Sequence, residues 1–149
     1  MSYNALRQGR LSESGREYLV TAVVERRKPV FTDLYVARRL INELRRLEEE
    51  GTVRWLAWVV MPDHFHGLLT LSGEHKLGMA MNLLKGRSSR AINARLGRAG
   101  RLWQPGFHDH ALRREEDRQA IASYILANPL RNGLVADIGD YPHWDSAFI

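Results

Sequence analysis

The chain has 149 residues, of which 44% are hydrophobic and 26% charged, a size and composition that predict one packed domain spanning residues 1–149. It contains no cysteine, which excludes disulfides, thiolate zinc sites and cysteine nucleophiles, so any metal must be held by nitrogen or oxygen ligands. No apolar stretch reaches membrane-spanning length, and the first residues lack the apolar core of a signal peptide. We therefore expect a cytoplasmic protein that does not associate with membranes.

The positive charge is concentrated in one segment. The formal net charge is +5, and no Asp or Glu occurs from His75 to His108. Such a one-sided segment predicts a polyanionic partner, most commonly nucleic acid, although a solvated helix in a basic protein is the simpler alternative. Trp103, in a loop rich in Gly and Arg, is a candidate for stacking on an unpaired base, with plain packing as the alternative. The candidate DNA-binding cations are Lys85, Arg87, Arg90, Arg95, Arg98 and Arg101.

The first half of the chain predicts a strand, a helix and a second strand. Residues Glu17 to Val24 are rich in β-branched and aromatic side chains, which favours a strand. Thr32 or Asp33 can cap the helix that follows, and Gly51 can end it. Val53 to Met61 alternates as a strand covered on most of both faces. One face would carry Val53, Trp55, Ala57, Val59 and Met61, and the other Arg54, Leu56, Trp58 and Val60.

The second half continues the alternation of elements. Pro62-Asp63 is a turn signal, so a strand from His64 to Leu71 is expected to form a hairpin with its predecessor. Helical spacing of apolar residues predicts a helix from Lys76 to about Gly97. After a loop that ends at Gly106, a short strand over about Phe107 to Arg113 and a helix over Glu115 to Asn128 complete the pattern.

The element order predicts the fold class. Strand, helix, strand, strand, helix and strand in succession are typical of the split βαβ, or ferredoxin-like, arrangement within the α+β class. Its antiparallel sheet has two crossover helices on one face and the third strand in the interior. The additional C-terminal helix, which carries Tyr124, could cover the other face.

Two histidines stand out on the third strand. Side chains alternate along a strand, so His64 and His66 share one face and Phe65 takes the other. If Phe65 packs toward the crossover helices, the histidines project to the face that the last helix could cover. Tyr124 and Asn128 are four residues apart and hence on one side of that helix, where they can meet the histidines.

These four side chains suggest metal-assisted phosphodiester chemistry. A divalent cation held by His64, His66 and the Asn128 oxygen would act as a Lewis acid on a phosphate. A tyrosine, with a reference pKa of about 10, becomes a nucleophile when a nearby cation or base assists it. Imidazole ligands suit zinc, nickel and cobalt as well as manganese.

Each residue also has a simpler interpretation. The two histidines could be structural, Tyr124 could be a partly buried core residue, and Asn128 could simply end a helix before a proline. A second pair, His108 and His110 around Asp109, could be a rival ligand set or could hold the C-terminal helix by hydrogen bonds.

Three motifs in order resemble a known family. They are Met61-Pro62-Asp63-His64-Phe65-His66, Leu102-Trp103-Gln104-Pro105-Gly106-Phe107-His108-Asp109-His110, and Tyr124-Ile125-Leu126-Ala127-Asn128-Pro129-Leu130-Arg131-Asn132-Gly133-Leu134-Val135. Together they resemble the REP-associated tyrosine transposases, which belong to the single-tyrosine HUH transposases of bacterial insertion sequences. The resemblance runs from the first predicted strand nearly to the end of the chain.

The resemblance implies roles for the site residues. His64 and His66 would be the HUH metal ligands, Asn128 the third ligand and Tyr124 the nucleophile, with Mg²⁺ or Mn²⁺ as the metal. The tyrosine would attach to the 5′ phosphate of cut single-stranded DNA and leave a free 3′ hydroxyl. The substrates would be short palindromic hairpins with flanking unpaired bases.

The expected function is therefore that of a metal-dependent single-stranded DNA endonuclease and strand transferase. Two alternatives remain at this stage: a non-catalytic nucleic-acid-binding regulator with the same fold, and a metal-dependent phosphoesterase that uses water in place of tyrosine. The sequence leaves open whether the protein is a monomer or a homodimer.

Overall fold

The computed structural model describes residues 16–113 and 117–148, and within these residues the strands form one antiparallel sheet. The strands are β1 (Glu17–Val23), β2 (Val53–Met61), β3 (His64–Leu71), β4 (His108–Ala111) and β5 (Trp144–Ser146). Their order across the sheet is β4-β1-β3-β2-β5. The first four strands have the order of a ferredoxin-like core, with β3 in the interior, so the predicted fold class is confirmed.

The helices begin and end at recognisable signals. They are α1 (Leu34–Glu49), α2 (Leu77–Leu96), α3 (Arg118–Leu126) and α4 (Asn128–Arg131). Asp33, rather than Thr32, caps α1, because its Oδ1 accepts hydrogen bonds from the backbone N–H groups of Tyr35 and Val36 at 2.9 and 3.3 Å. Gly97 ends α2 with a φ of 63°, a left-handed conformation that favours glycine. In the described ranges, no helix has the length and apolar character needed to cross a membrane.

The two faces of the sheet are covered by different helices. Helices α1 and α2 pack on one face, where Phe65 is fully buried with alternate residues of β1. Helix α3 packs on the other face, where Ala122 and Ile125 contact a smaller apolar cluster that includes Leu68. The C-terminal helix therefore covers the face that the crossover helices leave open, as predicted.

A bulge in β2 changes which side chains share a face. Trp55 pairs with Leu69 and Ala57 with Leu68, so Leu56 has no partner of its own across the ladder. Beyond the bulge the alternation shifts by one residue. Trp58 therefore joins Trp55 on the sheet face that α1 and α2 cover. The alternation predicted for β2 is therefore wrong beyond Trp55. Leu56, Ala57, Val59 and Met61 belong to the apolar cluster under α3.

Gly67 in β3 makes room for two aromatic rings. A Cβ at this position would lie 2.6 Å from Phe65 Cζ and 2.7 Å from Trp55 Cζ3, far inside van der Waals contact. The two rings meet edge to face, with centroids 5.6 Å apart, an arrangement favoured by aromatic quadrupoles. A side chain at residue 67 would displace them.

The sequence predicts no element beyond Asn128, yet the chain returns to the sheet after that residue. Strand β5 pairs with the outer edge of β2, with Trp144 opposite Val59. The Tyr141 hydroxyl donates a hydrogen bond to the carbonyl oxygen of Val60 at 2.5 Å. The aromatic cluster from Tyr141 to Trp144 was the available signal for this last strand.

Candidate active site

His64 and His66 lie side by side near the beginning of β3. Their ring centroids are 4.7 Å apart and the ring planes cross at 80°. Both side chains are half-buried, whereas Phe65 between them is fully buried on the opposite face. The imidazoles therefore occupy the α3 side of the sheet and remain accessible to a ligand.

Each histidine has a hydrogen-bond partner on Nδ1. His64 Nδ1 lies 2.6 Å from Asp63 Oδ1, and His66 Nδ1 lies 2.8 Å from Thr21 Oγ1. Asp63 is in turn held by Arg27, whose Nη1 donates to Oδ2 at 3.0 Å. Partners of this kind on the second ring nitrogen fix the orientation of metal-binding histidines. In the described part of the chain, Nε2 is the nitrogen that each ring has left for a ligand.

Burial and charge keep the site in the protonation state that a cation requires. Burial, with smaller contributions from His64 and Arg131, lowers the pKa of His66 from 6.5 to about 4. Burial alone would raise the pKa of Asp63, but hydrogen bonds from His64 and Arg27 outweigh it and lower the pKa. At neutral pH, His66 is therefore neutral and Asp63 is ionised.

The helix that carries Tyr124 ends before Asn128. The sequence predicted one helix through both residues, but α3 ends at Leu126 and Asn128 begins the short helix α4. Pro129 has no N–H to donate to the carbonyl oxygen of Ile125, four residues earlier. The Asn128 side chain replaces that bond, because its Nδ2 donates to Ile125 O at 3.0 Å. Asn128 is only 9% exposed, and its Oδ1 is the amide atom available to a ligand.

Tyr124 is on the solvent side of α3, with 64% of its surface exposed, whereas Asn128 is buried. The side-by-side placement of the two residues stays a prediction. Arg131 places its guanidinium 4.1 Å from the Tyr124 ring centroid and donates a hydrogen bond to the Tyr124 carbonyl oxygen at 2.9 Å. The charge of Arg131 also contributes to the lowered pKa of His66. Arg131 thus links the tyrosine to the histidine pair.

The donor set of this region fits a divalent cation. It offers two imidazole nitrogens from rings held by hydrogen bonds and one amide oxygen, a combination that first-row divalent metals accept. Within residues 16–113 and 117–148, no group of three or more His, Asp or Glu side chains is arranged to hold a metal ion. The predicted set differs from such a group because its third member is the amide of Asn128.

The second histidine pair faces the same side of the sheet. Thr21 of β1 is paired with both His66 and His108, and Leu19 is paired with both Leu68 and His110. Directly paired residues share a face, so His108 and His110 point to the α3 side. Strand β1 lies between the pairs, which separates their backbones by roughly 9–10 Å.

The segment without acidic residues, from His75 to His108, lies mainly on the side of the sheet opposite to His64 and His66. Helix α2 packs beside α1, on the face away from the histidines. Arg87 forms a bidentate pair with Glu50 at 2.6 and 3.3 Å, and Lys85 donates to the carbonyl oxygens of Gln104 and Gly106. These two cations are held by partners within the fold, contrary to the simple expectation of a DNA-binding helix face.

The other predicted DNA contacts of this segment differ in exposure: Arg98 is half-buried, as Lys85 and Arg87 are, and Trp103 is buried. Arg95 lies 4.9 Å from the Tyr35 ring centroid, and Arg98 donates to the Arg101 carbonyl oxygen. Trp103 is 4% exposed and donates to Ser88 Oγ at 3.0 Å. The expectation that Trp103 stacks on a base is therefore corrected: the indole packs in the core. Arg90 is exposed on α2, and Arg101 pairs with Glu25 at 3.5 Å.

Four residues around the histidines were not identified from the sequence as site residues. They are Thr21, Arg27, Asp63 and Arg131. Asp63 and Arg131 lie inside the motifs quoted above, so their positions in sequence were an available signal. Thr21 and Arg27 lie near the histidines only because β1 pairs with β3. The register of that pairing could not be predicted from the sequence.

Known proteins share sequence similarity with most of this chain. The family model described as "Transposase IS200 like" matches residues 13–128. The chain is 26% identical over 131 residues to the REP-associated tyrosine transposase of Escherichia coli (strain K12), covering 87% of this chain and 75% of that protein. It is 24% identical over 146 residues to a putative REP-associated tyrosine transposase of Haemophilus influenzae, covering 89% and 80% of the two chains.

Solved structures show the same relationship. A REP-associated tyrosine transposase bound to a REP hairpin matches with a TM-score of 0.76 and 26% identity, covering 91% of this chain and 79% of that one. A putative transposase from Deinococcus radiodurans matches with a TM-score of 0.56 and 29% identity, covering 73% and 87%. The matched family and these relatives are tyrosine transposases, which are enzymes that act on DNA. The chain belongs to the IS200-like transposase family.

Proposed function

We propose that the protein is a metal-dependent endonuclease and strand transferase that cuts single-stranded DNA beside palindromic hairpins. The observation that carries the proposal is the arrangement around Arg131, which contacts the exposed Tyr124 and places its charge near His66. A nucleophile, a cation-binding pair and a fixed positive charge then lie on one face of the sheet.

The proposed metal ligands are His64, His66 and Asn128, with Mg²⁺ or Mn²⁺ as the cation. Asp63 and Thr21 would hold the two imidazoles through Nδ1, so that each Nε2 is directed at the ion. When bound, the ion would polarise the scissile phosphate as a Lewis acid and orient it for attack. Arg131 would stabilise negative charge that develops on the phosphate.

Tyr124 would be the nucleophile in a transesterification. Its hydroxyl oxygen forms a bond to the scissile phosphorus, and the bond between phosphorus and the 3′ oxygen breaks. The phenolic proton is lost and the released 3′ oxygen gains a proton, so the balance requires no other reactant. The product is a 5′-phosphotyrosine linkage, which preserves a phosphodiester that another 3′ hydroxyl can attack.

DNA hairpins are the proposed substrates. One structural relative was solved with a REP hairpin bound. The exposed cations Arg90, Arg95 and Arg101, with the half-buried Arg98, are candidates for contacts with the backbone of a hairpin stem. Lys85 and Arg87 would contribute only by exchanging their present partners for phosphate.

The test is a covalent adduct. Purified protein is incubated with Mn²⁺ and a labelled oligonucleotide that contains a REP-type hairpin and unpaired flanks, and the products are resolved under denaturing conditions. We expect a protein–DNA adduct that peptide mapping assigns to Tyr124. Cleavage without an adduct would indicate a phosphoesterase that uses water. Hairpin binding without cleavage, with Mg²⁺ as well as Mn²⁺, would indicate a non-catalytic regulator.

A further inference from the structure

The turn after β1 carries two consecutive arginines in a strained backbone conformation. Arg26 has a φ of 58° and Arg27 a φ of 51°, in the left-handed region that glycine adopts readily. For a residue with a Cβ this conformation is strained, because Cβ comes too close to the following carbonyl oxygen. Neither position is glycine, so the turn retains arginine side chains at a cost in stability, as functional segments often do.

Backbone hydrogen bonds hold this turn against the entrance to β3. The Val24 N–H donates to Asp63 O at 2.9 Å, and the Phe31 N–H donates to Pro62 O at 3.0 Å. Arg27 adds its ion pair with Asp63 at 3.0 Å. The turn is therefore fixed beside the residue that precedes His64, at the end of the sheet where the proposed active site lies.

A cavity of about 290 Å³ lies between the turn and the segment that follows α4. Its walls connect the arginine turn to a proposed metal ligand, because Arg27 and His64 both line it. Asn132 lines the other side, next in sequence to the arginine that covers Tyr124. The lining includes Arg27, Pro29, Pro62, His64, Asn132 and Leu134.

Two cationic side chains of the turn have no internal partner in the described residues. Arg26 and Lys28 are exposed, and within the described ranges neither side chain forms a hydrogen bond or an ion pair. Arg87, by contrast, is paired with Glu50 on the opposite layer. Binding of a phosphate by Arg26 or Lys28 would break no internal contact. The free energy gained by releasing counterions from the DNA would therefore not be reduced by the loss of an ion pair within the protein.

We propose that Arg26 and Lys28 bind the phosphate backbone of the unpaired DNA strand as it enters the His64 cavity. This inference rests on the proposed function, because it supplies the path by which the scissile phosphate reaches the histidines. Arg27 has a different part, since its guanidinium orients Asp63. The exposed arginines of α2 lie on the other layer and would not contact this strand.

The test compares binding of a labelled hairpin oligonucleotide with and without an unpaired tail, as a function of salt. For single strands, each phosphate contact contributes about 0.7 to the slope of log affinity against log salt. The Arg26→Ala/Lys28→Ala double variant should lose up to about 1.4 units of slope on the tailed oligonucleotide and none on the untailed one. The matched variant Arg90→Ala/Arg95→Ala removes the same charge from α2 and should leave the tail-dependent part unchanged.

A charge-keeping variant separates binding from folding. Arg26→Lys/Lys28→Arg should retain the wild-type slope, and thermal melting should show that both double variants fold. If Arg26→Ala/Lys28→Ala keeps the full slope while wild-type protein forms the Tyr124 adduct, the inference is overturned and the proposed function stands. If the slope falls as expected but wild type forms no adduct, the binding surface stands and the proposed chemistry fails.

Discussion

Tyr35 and Tyr124 make nearly the same local contact on opposite sides of the molecule. They are 59% and 64% exposed, and each has an arginine over its ring, Arg95 at 4.9 Å and Arg131 at 4.1 Å. Only Arg131 also places its charge near a histidine. Exposure and a cation–π contact therefore do not distinguish a nucleophile from a surface tyrosine. The face of the sheet does, because one face is closed by α1 and α2 and the other leaves the histidine pair accessible.

The strongest test of this comparison removes one hydroxyl from each tyrosine. Tyr124→Phe should abolish cleavage and the covalent adduct, with hairpin affinity within a few fold of wild type, because the hydroxyl contributes little to ground-state binding. Tyr35→Phe should cleave at the wild-type rate. Gel assays of cleavage and a fluorescence binding titration measure both. Equal cleavage by the two variants would remove Tyr124 from the mechanism.

The same comparison applies to the histidines. His66→Ala should lose both Mn²⁺ binding and cleavage, because one of the two imidazole ligands is gone. His75, which lies beyond the far end of β3, provides the matched control, and His75→Ala should retain both properties. Isothermal titration with Mn²⁺ gives the affinity independently of activity. Unchanged Mn²⁺ affinity in His66→Ala would place the cation elsewhere.

A smaller effect is expected at the residue behind His64. Asp63→Asn keeps the size of the side chain but removes the charge that holds His64 Nδ1 at 2.6 Å, and loss of such a partner typically lowers metal affinity about 10–100-fold. Titration with Mn²⁺ should show this decrease while binding of the hairpin without metal is preserved. An affinity within twofold of wild type would mean that Asp63 does not position the ligand.

Two glycines on the closed face should respond to alanine in opposite directions. Gly67→Ala should lower the free energy of unfolding by about 1–3 kcal/mol, because the new Cβ would overlap the Phe65 and Trp55 rings. At Gly86 of α2 the nearest atom to a Cβ is the end of Arg90, at 3.5 Å. Gly86→Ala should therefore raise the unfolding free energy by about 0.5–1 kcal/mol. Chemical denaturation measures both, and a stable Gly67→Ala protein would contradict the packing described here.

The last expected effect concerns the dependence of stability on pH. The pKa of His66 is lowered from 6.5 to about 4 in the fold, so below pH 6.5 the unfolded chain takes up a proton that the folded protein does not. The metal-free protein should lose stability as pH falls from about 7 to about 5, by at most about 2 kcal/mol from this group, since 1.5 pH units at 1.36 kcal/mol each set the limit.

His143, whose pKa burial also lowers, acts in the same direction. Melting curves recorded with a chelator should therefore be flatter against pH for His66→Gln than for wild type. The same pH dependence in both proteins would show that His66 is not the group responsible.

The parts of the molecule that follow local rules could be predicted from the sequence. Alternation along β3 was enough to separate His64 and His66 from Phe65, because a strand without a bulge keeps a period of two. The same rule failed in β2. The unpaired Leu56 reverses which sheet face the following residues occupy, and no residue type in the sequence indicates this bulge.

Contacts between distant segments explain the remaining differences. Trp103 lies in a loop whose composition favours exposure, yet Phe31 and Ser88 come from remote parts of the chain to bury it. Asn128 was predicted in the final turn of the Tyr124 helix, but that helix ends at Leu126 and Asn128 begins the next one, where its side chain is buried and bonds to Ile125 O. The pairing of Arg27 with Asp63 likewise depends on the register of β1 against β3.

Strand β5 has a practical consequence for the handling of this protein. It covers the outer edge of β2, and the neighbouring Tyr141 anchors it through Val60 O. A shortened chain that stops before residue 141 would leave a long, apolar strand edge unpaired, a surface on which chains readily associate. Such a shortened chain would thus be prone to aggregation during expression, even though every residue of the proposed active site would still be present.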